Sequence, residues 1–539
     1  MSGLQQNMPF MMPQYREGIP RVIQPWIYLL IATTFQFSGG VYMGSLHQMM
    51  GAMDMMMEDV LMCLYCNLAG MAIYFPILLR MKFRFTNKTL LTAAATGVLL
   101  CNLAVPYITF KPLLWLVCFF SGMCKIQGTF ECMSNIQLWM TPKRDFTVFF
   151  PILNAVILGS MQLSDLLCVH FIHHYHWTCM HWFMCGVMLL NLIFIRLCIK
   201  DFRFMRKFPL FGIDWAGSAL WAALLVQIAF FFTYGDYYDW FNSKVMRILL
   251  MTILCTLCMV VRRMTTIRHP YIEPKMWTYR RLVPVLIVIT IAEAFLVTEH
   301  VLEEIFLSEI MHYEETVSVK LDWGTLTGVW LGCVFCYWWA HIKRFNYLRL
   351  IGIGFFSIII YLVLMYFSIS TEIHISRLYL PVIFRGFAYA IMSITFLICL
   401  HELVSFPHFF QSLSILQMLH MVVGGVLGAA AYKQGMSYYV PDNISRYSGM
   451  FDRIELSKSH LHLEEQLSVF TEQVMQISLK QIYGWTIYAC ILTFLLLLMW
   501  DSPVRKQLKK IPIWKDVRRQ IKNSFWRTSH RIKPTEDVG

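Results

Sequence analysis

The sequence predicts an all-α protein that crosses a membrane many times. Two observations carry this prediction. Apolar residues make up 58% of the 539 residues and charged residues only 14%, against about 25% charged in an ordinary soluble domain. So few charges cannot cover a water-facing surface, which excludes disorder, a coiled coil and a soluble enzyme. Apolar runs of membrane-spanning length also recur to the end of the chain. Only helices or closed barrels span lipid, and these runs are too long and too continuously apolar for barrel strands.

Residues 1–21 are polar and rich in Pro and Met, with no cleavable signal. The first apolar run, Val22 to about Leu46, is too long for a signal-peptide core. Fourteen spans are expected, at about 22–46, 58–79, 89–107, 112–135, 147–170, 177–198, 214–234, 244–261, 282–302, 323–342, 348–369, 378–402, 408–432 and 483–500. Lys and Arg gather in alternate loops, which places those loops and both termini in the cytosol. The loop after the second span has Arg80, Lys82, Arg84 and Lys88, and the loop after the sixth has Lys200, Arg203, Arg206 and Lys207. The tail beyond Asp501 carries eleven. The stretch 299–315 is acidic and reads as an outer loop. The net charge of +13 is therefore mostly a topology signal and does not argue for nucleic acid, although the tail can touch anionic lipid.

Two connections stand apart. The inner basic stretch 262–281 divides the chain into eight spans and six. The outer stretch 433–482 is long and polar. Its second half has Leu463, Leu467, Phe470, Val474 and Ile477 at helical spacing, which predicts an amphipathic helix running into the last span. Asn443-Ile444-Ser445 matches a glycosylation acceptor, just after a turn signal at Pro441-Asp442. Three cysteine pairs have CxxC spacing (Cys63/Cys66, Cys255/Cys258 and Cys333/Cys336). Each sits in an apolar run, where Cys packs as a small hydrophobe, and no metal or cofactor is expected.

Several segments match one family in order. Residues 213–243 resemble a helix hairpin that opens with Asp214, Trp215 and Gly217 and closes with Asp239, Trp240, Phe241 and Ser243. Residues 411–430 resemble a glycine-bearing late helix, with Gly424, Gly425 and Gly428. Residues 67–91 align with the second helix and its basic loop, and 463–500 look like the outer helix feeding the last span. Together they resemble the fourteen-helix drug:proton antiporter branch of the major facilitator superfamily.

The resemblance implies a six-helix bundle over 1–199, an inserted helix pair over 200–261 and a cytosolic linker over 262–281. A second bundle over 282–500 follows, with its outer loop 433–482, and then the basic tail 501–539. It implies a multi-pass protein of the inner (cytoplasmic) membrane that exports amphipathic or lipophilic compounds by proton antiport and alternating access. A periplasmic adaptor and an outer-membrane channel are implied as possible partners. Helix 4 should correspond to helix 12, each with one buried cation, Lys125 and Arg385. The chain departs from the family at Phe83, Thr86, Cys124 and Gly159-Ser160, and its first helix has no charge. Coupling through the family's usual acids is therefore not implied, and a carrier for a metabolite, peptide or siderophore is the alternative.

A charge at the bilayer centre costs about 2.5–3.5 kcal/mol even on the lenient insertion scale. The ionisable residues inside the spans therefore stand out. Glu293, Asp165 and Glu131 are the proton-coupling candidates. Lys125, Gln127, Arg385, Gln417 and His420 are candidates for lining a substrate path or locking helices. Asp54, Glu58 and Asp59 read as solvated end-caps at the outer mouth. A rival class is a membrane di-iron oxygenase, because His170-Phe171-Ile172-His173-His174 forms an HxxHH box. Such sites need several boxes, and the remaining histidines are scattered, so an enzyme is not expected.

Overall fold

A computed structural model of the chain describes residues 15–16, 19–20, 23–140, 145–201, 210–279, 281–342, 347–370, 373–449 and 463–499. The expected basic tail 501–539 and most of the basic loop after the sixth span lie outside these residues. The described chain is helical. Its first half holds α1 (Gln24–Phe37), α2 (Leu46–Met53), α3 (Met57–Arg84), α4 (Asn87–Ala104), α5 (Lys111–Met140), α6 (Phe146–His174) and α7 (Thr178–Cys198). A pair follows, α8 (Trp215–Thr233) and α9 (Lys244–Thr266). The second half holds α10 (Leu282–Leu296), α11 (Glu315–Ser318), α12 (Asp322–Ile342), α13 (Tyr347–Ser368), α14 (Tyr379–Leu403), α15 (Phe406–Leu419), α16 (Gly428–Ser448) and α17 (Leu463–Met499).

Among the described residues, twelve helical segments are long and apolar enough to cross a membrane. Two of the fourteen expected runs fall outside that set. Helix α1 has 14 residues, about 21 Å at 1.5 Å per residue, short of a hydrocarbon core of about 30 Å. Ser38-Gly39-Gly40 ends it early. Helix α12 has 21 residues but mixes Gly, Thr and Trp among its apolar side chains.

The two halves are built on the same close crossing. In the first, α3 packs along α5; in the second, α12 packs along α14. A Cβ on Gly70 would strike the Phe119 carbonyl, and one on Gly122 the Asn67 carbonyl. A Cβ on Gly328 would strike the Ile383 carbonyl, and one on Gly386 the Thr325 carbonyl. Small residues let helix backbones touch where lipid supplies no hydrophobic drive. Asn67 Nδ2 adds a bond to the Cys118 carbonyl at 3.2 Å.

These glycines also correct the expected match between Lys125 and Arg385. Lys125 lies three residues after Gly122, whereas Arg385 lies one before Gly386. The two cations therefore sit one helical turn apart, about 6 Å along the axis.

The halves meet where α3 packs on α15 and where α6 packs on α12 and α14. Ser393 Oγ donates to Asn154 Oδ1 at 2.9 Å across the second contact. Helix α8 leans on α3, and α9 leans on α8 while exposing Ile248, Met251, Leu254 and Met259. The linker is not slack. Buried Tyr271 donates to the Ile73 carbonyl of α3 at 2.9 Å and lies 3.0 Å from Ser414 of α15.

The stretch 433–482 departs from expectation at Pro441 and Asn443 and meets it in its second half. Pro441 does not begin a turn; it lies inside α16. The helix expected over 463–481 runs without a break into the last span as α17, 37 residues long. The glycosylation reading fails. Asn443 is fully buried and bonds Ser478 at 2.9 Å and Gln481 at 3.0 Å, which ties α16 to α17.

Candidate functional site: buried charges between the halves

Helix α10 does not stop where the expected ninth span stops. Two π-helical segments, Glu299–Glu303 and Phe306–Ile310, carry it to Ile310. π-bulges are rare and gather at functional sites. This one turns Glu299 and Glu303, read in the sequence as outer-loop acids, onto Arg385 of α14. Arg385 Nη2 lies 2.8 Å from Glu299 Oε1 and donates to Thr325 Oγ1 at 2.7 Å. Its Nη1 is bonded to Glu303. Tyr361 of α13 donates to Glu303 at 3.2 Å. Arg385 is 2% exposed, and a buried charge persists only when paired and hydrogen-bonded. Two carboxylates on one guanidinium leave the group with more acid than base.

A second pair lies on the same half. His420 Nδ1 is 3.0 Å from Glu293 Oε2. His420 opens a third π-helical segment, His420–Leu427, and Gln417 precedes it by one turn. The glycine motif makes room here. A Cβ on Gly424 would come within 2.9 Å of the Glu293 carboxylate, and one on Gly425 within 3.0 Å of the Tyr65 ring. Tyr65 of α3 donates to the Gly425 carbonyl at 3.2 Å, so the first half touches the motif directly. Glu293 and Arg385 thus hold different partners.

The first half is arranged differently. Lys125 is 8% exposed, and its side chain makes no hydrogen bond or ion pair with any described residue. Asp165 of α6 interacts with it electrostatically without reaching contact. Both amide atoms of Gln127 are buried without a partner. Two residues apart on one helix, Lys125 and Gln127 leave opposite sides and do not form one site. Glu131, the third coupling candidate, pairs with Lys82 at 3.0 Å and so joins α5 to α3.

Asp59 corrects its expected place as a solvated cap. It is buried, pairs with Lys111 at 2.5 Å, accepts the Tyr234 hydroxyl and fastens α8 to the N-terminal ends of α3 and α5. Asp214 caps α8 through the Gly217 N–H at 2.9 Å and pairs with Arg263 at 2.7 Å. Burial alone would raise its carboxyl, but Arg263 and the N–H groups of Gly217 and Tyr271 outweigh this and hold it below its ordinary value. Trp215 begins that helix. Asp239 and Trp240 take positive φ, 55° and 46°, to turn the chain between α8 and α9. Gly428 packs against Val297 of the α10 segment. These motif residues build joints of the fold.

The histidine box sits at the end of α6. His170 and His174 meet edge to face with ring centroids 4.5 Å apart. Among the described residues, no group of three or more His, Cys, Asp or Glu is placed to hold a metal ion.

No family profile and no curated protein sequence matches the chain. Solved structures do. The nucleoside transporter NupG superposes with a TM-score of 0.52 at 11% identity, covering 87% of this chain and 98% of that one. The peptide transporter POT in complex with sulfate gives 0.53 at 14%, covering 92% and 99%. The human organic anion transporter MFSD10 (TETRAN) gives 0.50 at 10%, covering 88% and 100%. At such identities the likeness is one of fold: the chain shares the fold of these three transporters.

Proposed function

We propose that the protein is a secondary transporter that moves small organic solutes by alternating access, coupled to protons through its second half. One observation carries this reading: Arg385 of α14 is buried inside the second half between Glu299 and Glu303, which the π-distorted continuation of α10 carries. A guanidinium with two carboxylates can release one when that carboxylate takes a proton, and the exchange costs little because the other pairing remains. The Glu293–His420 pair is a second such carrier.

Export of amphipathic compounds by proton antiport is the preferred direction. It rests on the motif residues Asp214, Gly217, Gly424 and Gly425 standing in family order. Fourteen spans with both termini in the cytosol agree with the basic loops, with α1 and α12 completing the set. In the inner membrane of a double-membraned bacterium, the arms of α16 and α17 would dock a periplasmic adaptor leading to an outer-membrane channel. A carrier for a metabolite or peptide is the second reading. It is favoured by the uncharged first helix and by the polar groups at the junction.

The test uses purified protein in liposomes under a pH gradient, with internal pH followed as lipophilic cations, anions, nucleosides and peptides are added. Compound-dependent proton flux that falls at least tenfold in Glu293→Gln or Glu303→Gln supports coupling. Solute uptake indifferent to the gradient would sink the antiport reading and leave a facilitator.

A further inference from the structure

We infer that the junction binds a solute carrying both a carboxylate and a protonated amine, held between Lys125 of α5 and the acids of α6, α10 and α12. The inference rests on the transporter reading and names its substrate class.

The argument starts from what each charge lacks. Arg385 is occupied, with its terminal nitrogens on Glu299, Glu303 and Thr325. Lys125 is not. As a residue Lys125 is 8% exposed, and its ammonium has no acceptor among the described residues. A buried cation without an acceptor is costly. Opposite stands Asp165, half-buried, which interacts with Lys125 without touching it and likewise lacks a hydrogen-bond partner. Asp165 also interacts with Glu299 across the junction. Asp322, at the start of α12, interacts with Asp165, Glu299, Glu303 and Arg385 and forms no ion pair of its own. Two cations thus face four carboxylates, and the unsatisfied members are one ammonium and two acids.

A solute with a single charge would satisfy one side only. An acid alone would serve Lys125 and add charge beside Asp165 and Asp322. An amine alone would leave Lys125 bare. A solute with both ends places its carboxylate on Lys125 and its ammonium among Asp165, Asp322 and the exposed edge of Glu299, whose side chain is 27% exposed. The excess of acid strengthens the hold on the amine end. The Lys125 and Asp165 sites belong to the first half, and Glu299 and Asp322 to the second, so this solute spans the surface along which the halves must move.

The test measures binding to the full-length protein in detergent, by intrinsic tryptophan fluorescence. The probes are phenylalanine and phenylalanylalanine, each with free ends, with the amine acetylated, or with the carboxylate amidated. The free-ended forms should bind about tenfold tighter than either blocked form. Lys125→Met should erase the preference over the amide and keep the preference over the acetylated form; Asp165→Asn should do the reverse. Equal binding of all forms, or no binding by protein that elutes as a single species, overturns the inference. If a variant does not fold, the preference of the parent decides. Proton-coupled flux of other solutes without any end-group preference would sink this inference and leave the transporter reading standing. End-group-specific binding without flux under any gradient would do the opposite.

Discussion

The two halves share a scaffold and differ in their charges. Each crosses a pair of helices on two glycines, Gly70 with Gly122 and Gly328 with Gly386. On that common frame the second half pairs its buried cation with two glutamates, and the first leaves Lys125 without a partner. All three π-helical segments found among the described residues belong to the second half. The difference teaches that the crossing fixes the fold, whereas local distortion of α10 and of the α15–α16 segment supplies the chemistry. One half surrounds its buried cation with acids, and the other leaves its cation unpaired.

The largest test of that contrast compares the two cations. Arg385→Met strands two glutamates in a buried site and should cost about 3–5 kcal/mol, seen as a sharp fall in the Tm of purified protein. Lys125→Met removes an unsatisfied charge and should leave Tm equal or higher. Equal losses would break the comparison. Next come the crossings. Gly70→Ala and Gly386→Ala each drive a methyl into backbone and should cost about 1–3 kcal/mol, by similar amounts in the two halves. A wide gap between them would deny the shared frame. Asn443→Ala should cost about 1 kcal/mol, and the parent expressed in a glycosylating host should gain no mass at Asn443. The smallest effect is at Asp214. Its folded carboxyl titrates below its unfolded value, so its contribution is complete above about pH 4 and fades as pH falls through the folded value. The Tm gap between the parent and Asp214→Asn should therefore narrow on acidification. A gap that widens would overturn this sign.

The helices were legible because apolar runs announce themselves, and the amphipathic arm before the last span was legible by its spacing. Buried Arg385 and Glu293 stood out as charges inside apolar runs. The partners of Arg385 did not, because Glu299 and Glu303 read as loop acids once the span was closed near residue 302. Their spacing of four, which puts both on one helical face, was the available signal. Asp59 was misread for the same reason: a charge near a span end looks solvated until a neighbouring helix, here α8 through Tyr234, covers it. The acceptor triplet at Asn443 says nothing of whether its asparagine is free. The pairing of Glu293 with His420 joins residues 127 apart in the chain, and no local pattern encodes it.

Helix α17 has a mechanical consequence. Its 37 residues make a rod of about 55 Å, of which a bilayer core takes about 30 Å, leaving about 25 Å beyond the lipid. Helix α16 is fastened along it by Asn443. A rod unbroken through the membrane is a lever. Rocking it by about ten degrees would swing the far end by about 4 Å, from the length of the free arm. Spin labels at Leu467 and Tyr438 would therefore report the motion of the buried span from outside, without any reagent entering the membrane.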